Sequence, residues 1–136
     1  MFSPPADREV FVVPLEIAPA DIDENDHVNN VVYVRWLQDV GTTHWNARFE
    51  EDVRAKWSWV CLRHEVDYLK PLNLGDPVQA RTWVGTPHGA TFARYVVIEG
   101  PDGPAAQGRS DWVLVDSQTM RPARIPAWMV APFEPG

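Results

Sequence analysis

The sequence predicts an α+β domain in which one long helix lies against an antiparallel sheet, and three observations carry that expectation. Along the chain the apolar period changes from two to about 3.6 and back to two. The later stretches of period two are joined by short, turn-rich links, which suit antiparallel neighbours and not crossover connections. At 136 residues the chain has the length of one domain, so both patterns share a single core spanning 1–136.

Residues 10–18, VFVVPLEIA, are β-branched and apolar enough for a first strand. Pro14 lacks a ladder donor and places that strand at an edge or a bulge. After a polar stretch, Tyr33, Trp36, Leu37 and Val40 recur at i, i+3, i+4 and i+7, the spacing of one helix face. Asn29 or Asn30 supplies the N-cap, since a short amide accepts from the first free N–H groups. Val31, Val32 and Val34 are poor helix formers, so burial has to override local propensity. Apolar side chains on nearly every side of this helix indicate that other structure encloses it. A helix of about 17 residues is about 25 Å long, enough to run the width of a curled sheet.

From residue 57 the pattern alternates again. Val60, Leu62, Val66 and Tyr68 fall on one phase, Cys61, Arg63, Glu65 and Asp67 on the other, which predicts a half-buried strand. His64 lies on the apolar phase and reads as a satisfied core or interface histidine, while His44 and His88 read as surface or loop residues. VQARTWV (78–84), TFARYVVIE (91–99) and a stretch ending SDWVLVD near 116 add three strands, separated by KPLNLGDP, TPHG and GPDGP turns. The order is one strand, one helix, four strands. The tail RPARIPAWMVAPF is broken by prolines and is expected to pack irregularly.

Nineteen acidic residues against twelve basic ones leave a net charge of −7, which argues against a nucleic-acid protein, since that would need a basic stripe to neutralise phosphates. A few local arginines can still bind a phosphate on such a chain. The single cysteine, Cys61, has no partner for a disulfide and is expected to be a small buried hydrophobe. The opening MFSPPADREVF has neither the basic region nor the apolar run of a signal peptide, and no apolar run approaches the ~20 residues that span a bilayer. The expectation is a soluble, cytoplasmic protein that does not engage membranes.

The chemistry concentrates in DIDENDHVNN, residues 21–30. A calcium loop would use Asp21, Asp23 and Asn25 at its first, third and fifth positions. It would then need glycine where Asp26 stands and a glutamate where Val32 stands, and a helix where the preceding sequence is strand-like. A transition-metal site has only His27 as a nitrogen donor, with no HxH or HExxH spacing, so no metal is expected. Two readings stay open. The stretch can be an Asx-capped polar loop, explained by local hydrogen bonding. It can also be a reaction centre at a helix N-terminus, where free N–H groups hold an oxyanion, a carboxylate serves as base or nucleophile, and an amide and an imidazole orient the reactants.

DIDENDHVNNVVYVRWL, together with HEVDYLKPLNLGDPV (64–78) and RIP (124–126), resembles the hotdog-fold acyl thioesterases, nearest to the 4-hydroxybenzoyl-CoA thioesterase type and to plant acyl-ACP thioesterases. The resemblance covers nearly the whole chain. It implies a hotdog fold, a curled five-stranded antiparallel sheet around one central helix. It also implies a homodimer or a tetramer of dimers with its sites at subunit interfaces. The activity it implies is hydrolysis of an acyl-CoA, with an acyl-ACP thioesterase or a non-catalytic acyl-binding module as alternatives, and with no cofactor. The catalytic carboxylate maps to Asp23, and Asn25 and His27 map to the residues beside it, with an N–H near Asn30 polarising the thioester carbonyl. A second thioesterase type carries its carboxylate on the helix, where Asp39 is the candidate. Asn30, Val31, Tyr33, Trp36 and Trp59 are the candidate acyl contacts, although core packing explains Tyr33 and Trp36 better. Arg63, Lys70, Arg81, Arg94 and Arg109 are candidates for the CoA phosphates.

Overall fold

Asn29 stops the chain's extended run and starts its one long helix. Its backbone is extended (φ −61°, ψ 138°) and its side-chain oxygen accepts from the Val31 N–H at 3.0 Å, satisfying a donor that has no partner inside the helix. The computed structural model, which describes residues 2–136, orders the elements as β1 (Phe11–Leu15), α1 (Asn30–Arg48), α2 (Glu51–Lys56), β2 (Trp57–Tyr68), β3 (Val78–Val84), β4 (Thr91–Gly100), β5 (Gly103–Asp116) and α3 (Ala127–Val130). All pairings in the sheet are antiparallel and the strand order is β1-β3-β4-β5-β2. This is the expected hotdog architecture.

β1 and β2 are the two edges, and α1 joins them, so the helix has to cross the whole sheet. Its 19 residues reach about 28 Å, against about 19 Å between the edges of a five-stranded sheet. The crossing is close. A Cβ on Gly108 in β5 would lie 2.7 Å from Leu37 Cδ1, so only glycine lets the helix sit this low on the sheet. Pro14 pairs with Gln79 on the edge strand, where a missing donor costs little.

The core under α1 has two parts. Val32, Tyr33, Trp36, Leu37 and Val40 pack with Val13, Val96, Ile98 and Ala106 beneath the first half of the helix. Trp45 and Phe49 pack with Val84, Phe92, Leu114, Met129 and Phe133 beneath the second half. Each large apolar side chain buried here contributes roughly 1.5–3 kcal/mol, which is how the valine-rich start of α1 is held helical.

Several expectations need correction. β1 is shorter than the predicted 10–18, and the short helix α2 lacked a periodic signal. In β2 the register breaks between Cys61 and Arg63, leaving Leu62 unpaired. A bulge of one residue flips the phase of everything on one side of it. Val60 (38% exposed) and Leu62 (63%) therefore point outward, while Trp59 and Cys61 turn inward and His64 and Val66 stay there. The tail also does more than pack irregularly: Ile125, Met129, Val130 and Phe133 are buried and close the second half of the core. Among the described residues, no helix is long and apolar enough to cross a membrane.

Candidate active site

An antiparallel bridge between Ile22 and Val28 pinches residues 23–27 into a loop at the foot of α1. Asp21, the first aspartate of the motif, is structural. Its side chain is buried, accepts from the Ala18 N–H at 2.9 Å and from Arg35 Nη1 at 3.1 Å, and its carbonyl accepts from the Asn29 N–H at 2.8 Å. The Arg35 hydrogen bond holds its carboxyl below the usual range, against the opposing effect of burial.

Asp23 faces outward and is held differently. Its Oδ1 accepts from the Asn25 N–H at 2.9 Å and the His27 N–H at 3.4 Å, while its own N–H donates to the His27 carbonyl at 2.9 Å. Among the described residues Oδ2 meets no donor. The loop thus fixes one carboxylate oxygen with backbone groups and leaves the other to act. The Asn25 and His27 side chains are exposed beside it. His27 Nδ1 lies 3.1 Å from Asn73 Oδ1; an amide oxygen only accepts, so the hydrogen sits on Nδ1 and Nε2 faces out as the acceptor.

Asp26 has φ 61°, the left-handed region that glycine prefers. The expectation that this position needs glycine is thereby relaxed, since aspartate tolerates the conformation through local hydrogen bonding. The calcium reading still fails on Val32, which is buried in α1. Among the described residues, no three His, Cys, Asp or Glu side chains group as metal ligands would.

At the helix start the Val31 N–H goes to the Asn29 side chain and the Val32 N–H to the Asn29 carbonyl at 2.9 Å. The Asn30 N–H meets no acceptor among the described residues, and both Asn30 and Val31 are exposed. Tyr68 anchors the turn by donating from its hydroxyl to the Asn30 carbonyl at 3.1 Å. An exposed donor at the positive end of a helix, into which the loop carrying the tethered carboxylate leads, can polarise a carbonyl and hold the charge that develops on it.

The other sequence-predicted contacts lie elsewhere. Tyr33 and Trp36 are each 3% exposed and meet edge to face in the core, so within one chain they pack and line no opening. Trp59 is at the far end of α1, where it lines a cavity of about 70 Å³ with Gly41, Trp45, Phe92, Arg94 and Trp112 among its walls. Asp39, the alternative carboxylate, is exposed on α1.

The residues that sequence reasoning missed are buried between the two halves of the core. His44, expected at the surface, is 0% exposed: its ring stacks on Phe11 at 4.5 Å and meets Phe133 at 4.8 Å. Its Nδ1 accepts from Arg94 Nη1 at 2.9 Å, so Nε2 carries the hydrogen and donates to Glu9 Oε1 at 2.7 Å. Arg48 grips the same carboxylate with Nε at 2.6 Å and Nη2 at 3.1 Å. Burial lowers the His44 pKa to about 4, the Arg94 charge adding to it, and burial lowers Arg94 to about 10. Arg94 is therefore no candidate for a CoA phosphate at the surface. Arg63, Arg81 and Arg109 each pair with a carboxylate, at 3.3, 3.2 and 3.1 Å, and exposed Lys70 donates to the Asp102 carbonyl at 2.7 Å.

Cys61 is half-buried, not fully buried as expected, with Sγ 3.3 Å from His64 Nε2; burial pushes the thiol pKa up, so it stays protonated. His64 is satisfied by Ser110 Oγ at 2.7 Å. The chain order of these polar groups, 9, 44, 64, 82, 94 and 110, carries no local motif. The one available signal was the helical phase, since His44 lies at i+4 from Val40 on a buried stripe.

A family model described as the thioesterase-like superfamily matches residues 17–133. Two uncharacterised proteins of Mycobacterium tuberculosis, from two strains, are 23% identical over 129 residues, which is 95% of this chain and 51% of theirs. The chain thus spans about half the length of these curated relatives. Among solved structures, a Thermus thermophilus thioesterase complexed with coenzyme A and zinc superposes with a TM-score of 0.78 at 24% identity, covering 90% of each chain. A 1,4-dihydroxy-2-naphthoyl-CoA thioesterase from Synechocystis superposes with a TM-score of 0.77 at 13% identity, covering 91% of this chain and 96% of that one. At these identities the likeness is one of fold.

Proposed function

The chain belongs to the thioesterase-like superfamily, and from that premise we propose that it hydrolyses an acyl-CoA thioester to the free acid and CoA at the loop before α1. One observation carries the reading: the Asn30 N–H has no acceptor among the described residues, and Asp23, in the loop that leads to it, is held by backbone donors on one oxygen only. The thioester carbonyl oxygen accepts from the Asn30 N–H. The free oxygen of Asp23 either takes a proton from water as the water adds to the carbonyl carbon, or adds to that carbon itself. The carbon–sulfur bond breaks and the thiolate leaves: on the first route it takes up the proton held by Asp23 and the free acid forms directly, and on the second a water then hydrolyses the Asp23 acyl anhydride to the free acid, with Asn25 and His27 orienting water and carbonyl. CoA is favoured over an acyl carrier protein because a net charge of −7 repels an acidic carrier.

The outer edge of β2 supports a homodimer. It is a 12-residue edge strand with Val60 and Leu62 exposed, a long apolar edge of the kind that proteins pair or cover. A second copy added there places two loops and two cavities on one assembly, and a tetramer would be two such dimers.

Thiol release from acyl-CoAs of short, long and aromatic type, with the same acyl groups on a carrier protein, tests the proposal. Release from at least one CoA ester in preference to its carrier ester is the expected result. Release from none, with tight binding of the ester, would replace the enzyme by an acyl-binding module.

A further inference from the structure

The cavity beside Arg94 has a feature that catalysis at Asp23 does not use. Arg94 is 7% exposed, and both hydrogens of its Nη1 are committed, to His44 Nδ1 at 2.9 Å and to Thr82 Oγ1 at 3.0 Å. Among the described residues its Nε and Nη2 meet no acceptor. The guanidinium lines the cavity, and Gly41 leaves room for it: a Cβ there would lie 3.2 Å from Arg94 Cδ and 3.3 Å from its Nε.

The charges around it do not balance. Glu9 is the one carboxylate of the group, and it is already gripped on both oxygens by Arg48, with His44 donating to it. His44 is neutral near pH 7. One carboxylate thus answers two guanidinium groups, leaving one positive charge inside the protein, where an uncompensated ion costs several kcal/mol. The rest of the wall is mainly apolar, with Trp45, Trp59, Phe92 and Trp112 among it.

We infer that this cavity is the subsite for a carboxylate at the far end of a short acyl group, with Arg94 as its donor. The inference rests on the thioesterase reading above and names its substrate class, a CoA monothioester of a short dicarboxylic acid. Size sets the length. A cavity of about 70 Å³ holds a carboxylate and one or two carbons, since a water occupies roughly 30 Å³ and a cavity for benzene is about 150 Å³. The rest of the chain leaves at the mouth, past exposed Thr42. Gly41 is eleven residues along α1 from Asn30, about 16 Å by helical rise, which is farther than a short acyl chain spans. The Asp23 that serves this cavity is therefore that of a second copy, reached across β2, whose Trp59 forms part of the wall.

The test has two arms that fail separately. In the first, butyrate and butyramide are titrated into the protein by calorimetry. Butyrate binding saturably and at least tenfold more tightly than butyramide is expected, with Thr42→Phe, at the mouth, blocking it. That substitution keeps the question answerable if Arg94→Gln does not fold. Equal binding of acid and amide, or no saturable binding of butyrate, overturns the subsite. In the second arm, glutaryl-CoA and pentanoyl-CoA are compared as substrates. A kcat/KM at least tenfold higher for glutaryl-CoA supports the substrate class, and a preference for pentanoyl-CoA overturns it. If neither ester is cleaved while butyrate still binds, the thioesterase reading fails and the anion site stands.

Discussion

The two ends of α1 hold charge in opposite ways. At the N-terminus Asp23 stands half in water, its geometry set by the N–H groups of residues two and four positions away. Under the C-terminal half, Glu9, His44, Arg48 and Arg94 are brought together from three distant parts of the chain, and Arg94 and His44 see no bulk water. The first arrangement needs little from the rest of the fold and leaves a carboxylate free to react. The second is bound into the packing, since each member satisfies another. A change in the loop should therefore cost activity and spare stability, while a change in the buried group should cost stability first.

The largest expected effect is at Glu9. Replacing it by glutamine removes the one carboxylate that faces Arg48, His44 and Arg94, and breaking a buried ionic group of this kind costs about 3–5 kcal/mol. Asp23→Asn, at a half-buried loop position where the amide oxygen can keep the same backbone donors, should move stability by less than about 0.5 kcal/mol. Urea unfolding of the two variants makes the comparison, and equal losses would erase the distinction drawn between the two ends.

Acid should act on the buried end next. The His44 pKa falls from an ordinary 6.5 to about 4 in the fold, so the unfolded chain binds the extra proton first and stability drops as pH falls from 6.5 towards 4. The full shift corresponds to about 3 kcal/mol. Glu9 acts in the same direction further down: burial raises its pKa, but Arg48 and His44 outweigh that and leave it lowered, so its contribution is present at neutral pH and disappears as it is protonated. Thermal melts between pH 4 and 7 should show this slope, and it should flatten in His44→Gln.

Smaller effects test the loop's frame. Asp21→Ala leaves the Ala18 N–H and Arg35 without their acceptor and should cost about 1–3 kcal/mol. Asn29→Ala removes the cap of α1 and should cost about 1 kcal/mol. Asp26→Gly should stabilise slightly, by about 0.5 kcal/mol, because relief of the left-handed backbone narrowly exceeds the added chain entropy of glycine. Melting curves of the three variants rank them.

The same contrast explains what could be read from the sequence. The helix face of Tyr33, Trp36, Leu37 and Val40, the cap at Asn29 and the strands β3, β4 and β5 follow from local spacing and were legible. So was the crowding of polar groups at 21–30, because a helix start organises neighbours in sequence. The phase of β2 was not, since an unpaired Leu62 is decided by pairing with β5 and not by its own pattern. His44 and Arg94 were misplaced for a related reason. Whether a polar residue is at the surface or in a satisfied buried group depends on partners twelve to fifty residues away, here Thr82 and Glu9 as much as each other.

The most direct test of the account is steady-state hydrolysis of the best acyl-CoA by wild type and Asp23→Asn, with melting temperatures measured on the same samples. The account predicts that kcat falls by about 10²-fold or more, as expected for loss of a base or nucleophile, while KM and melting temperature stay close to wild type. A variant that keeps its kcat would contradict it and move the chemistry to Asp39 or to the far end of α1.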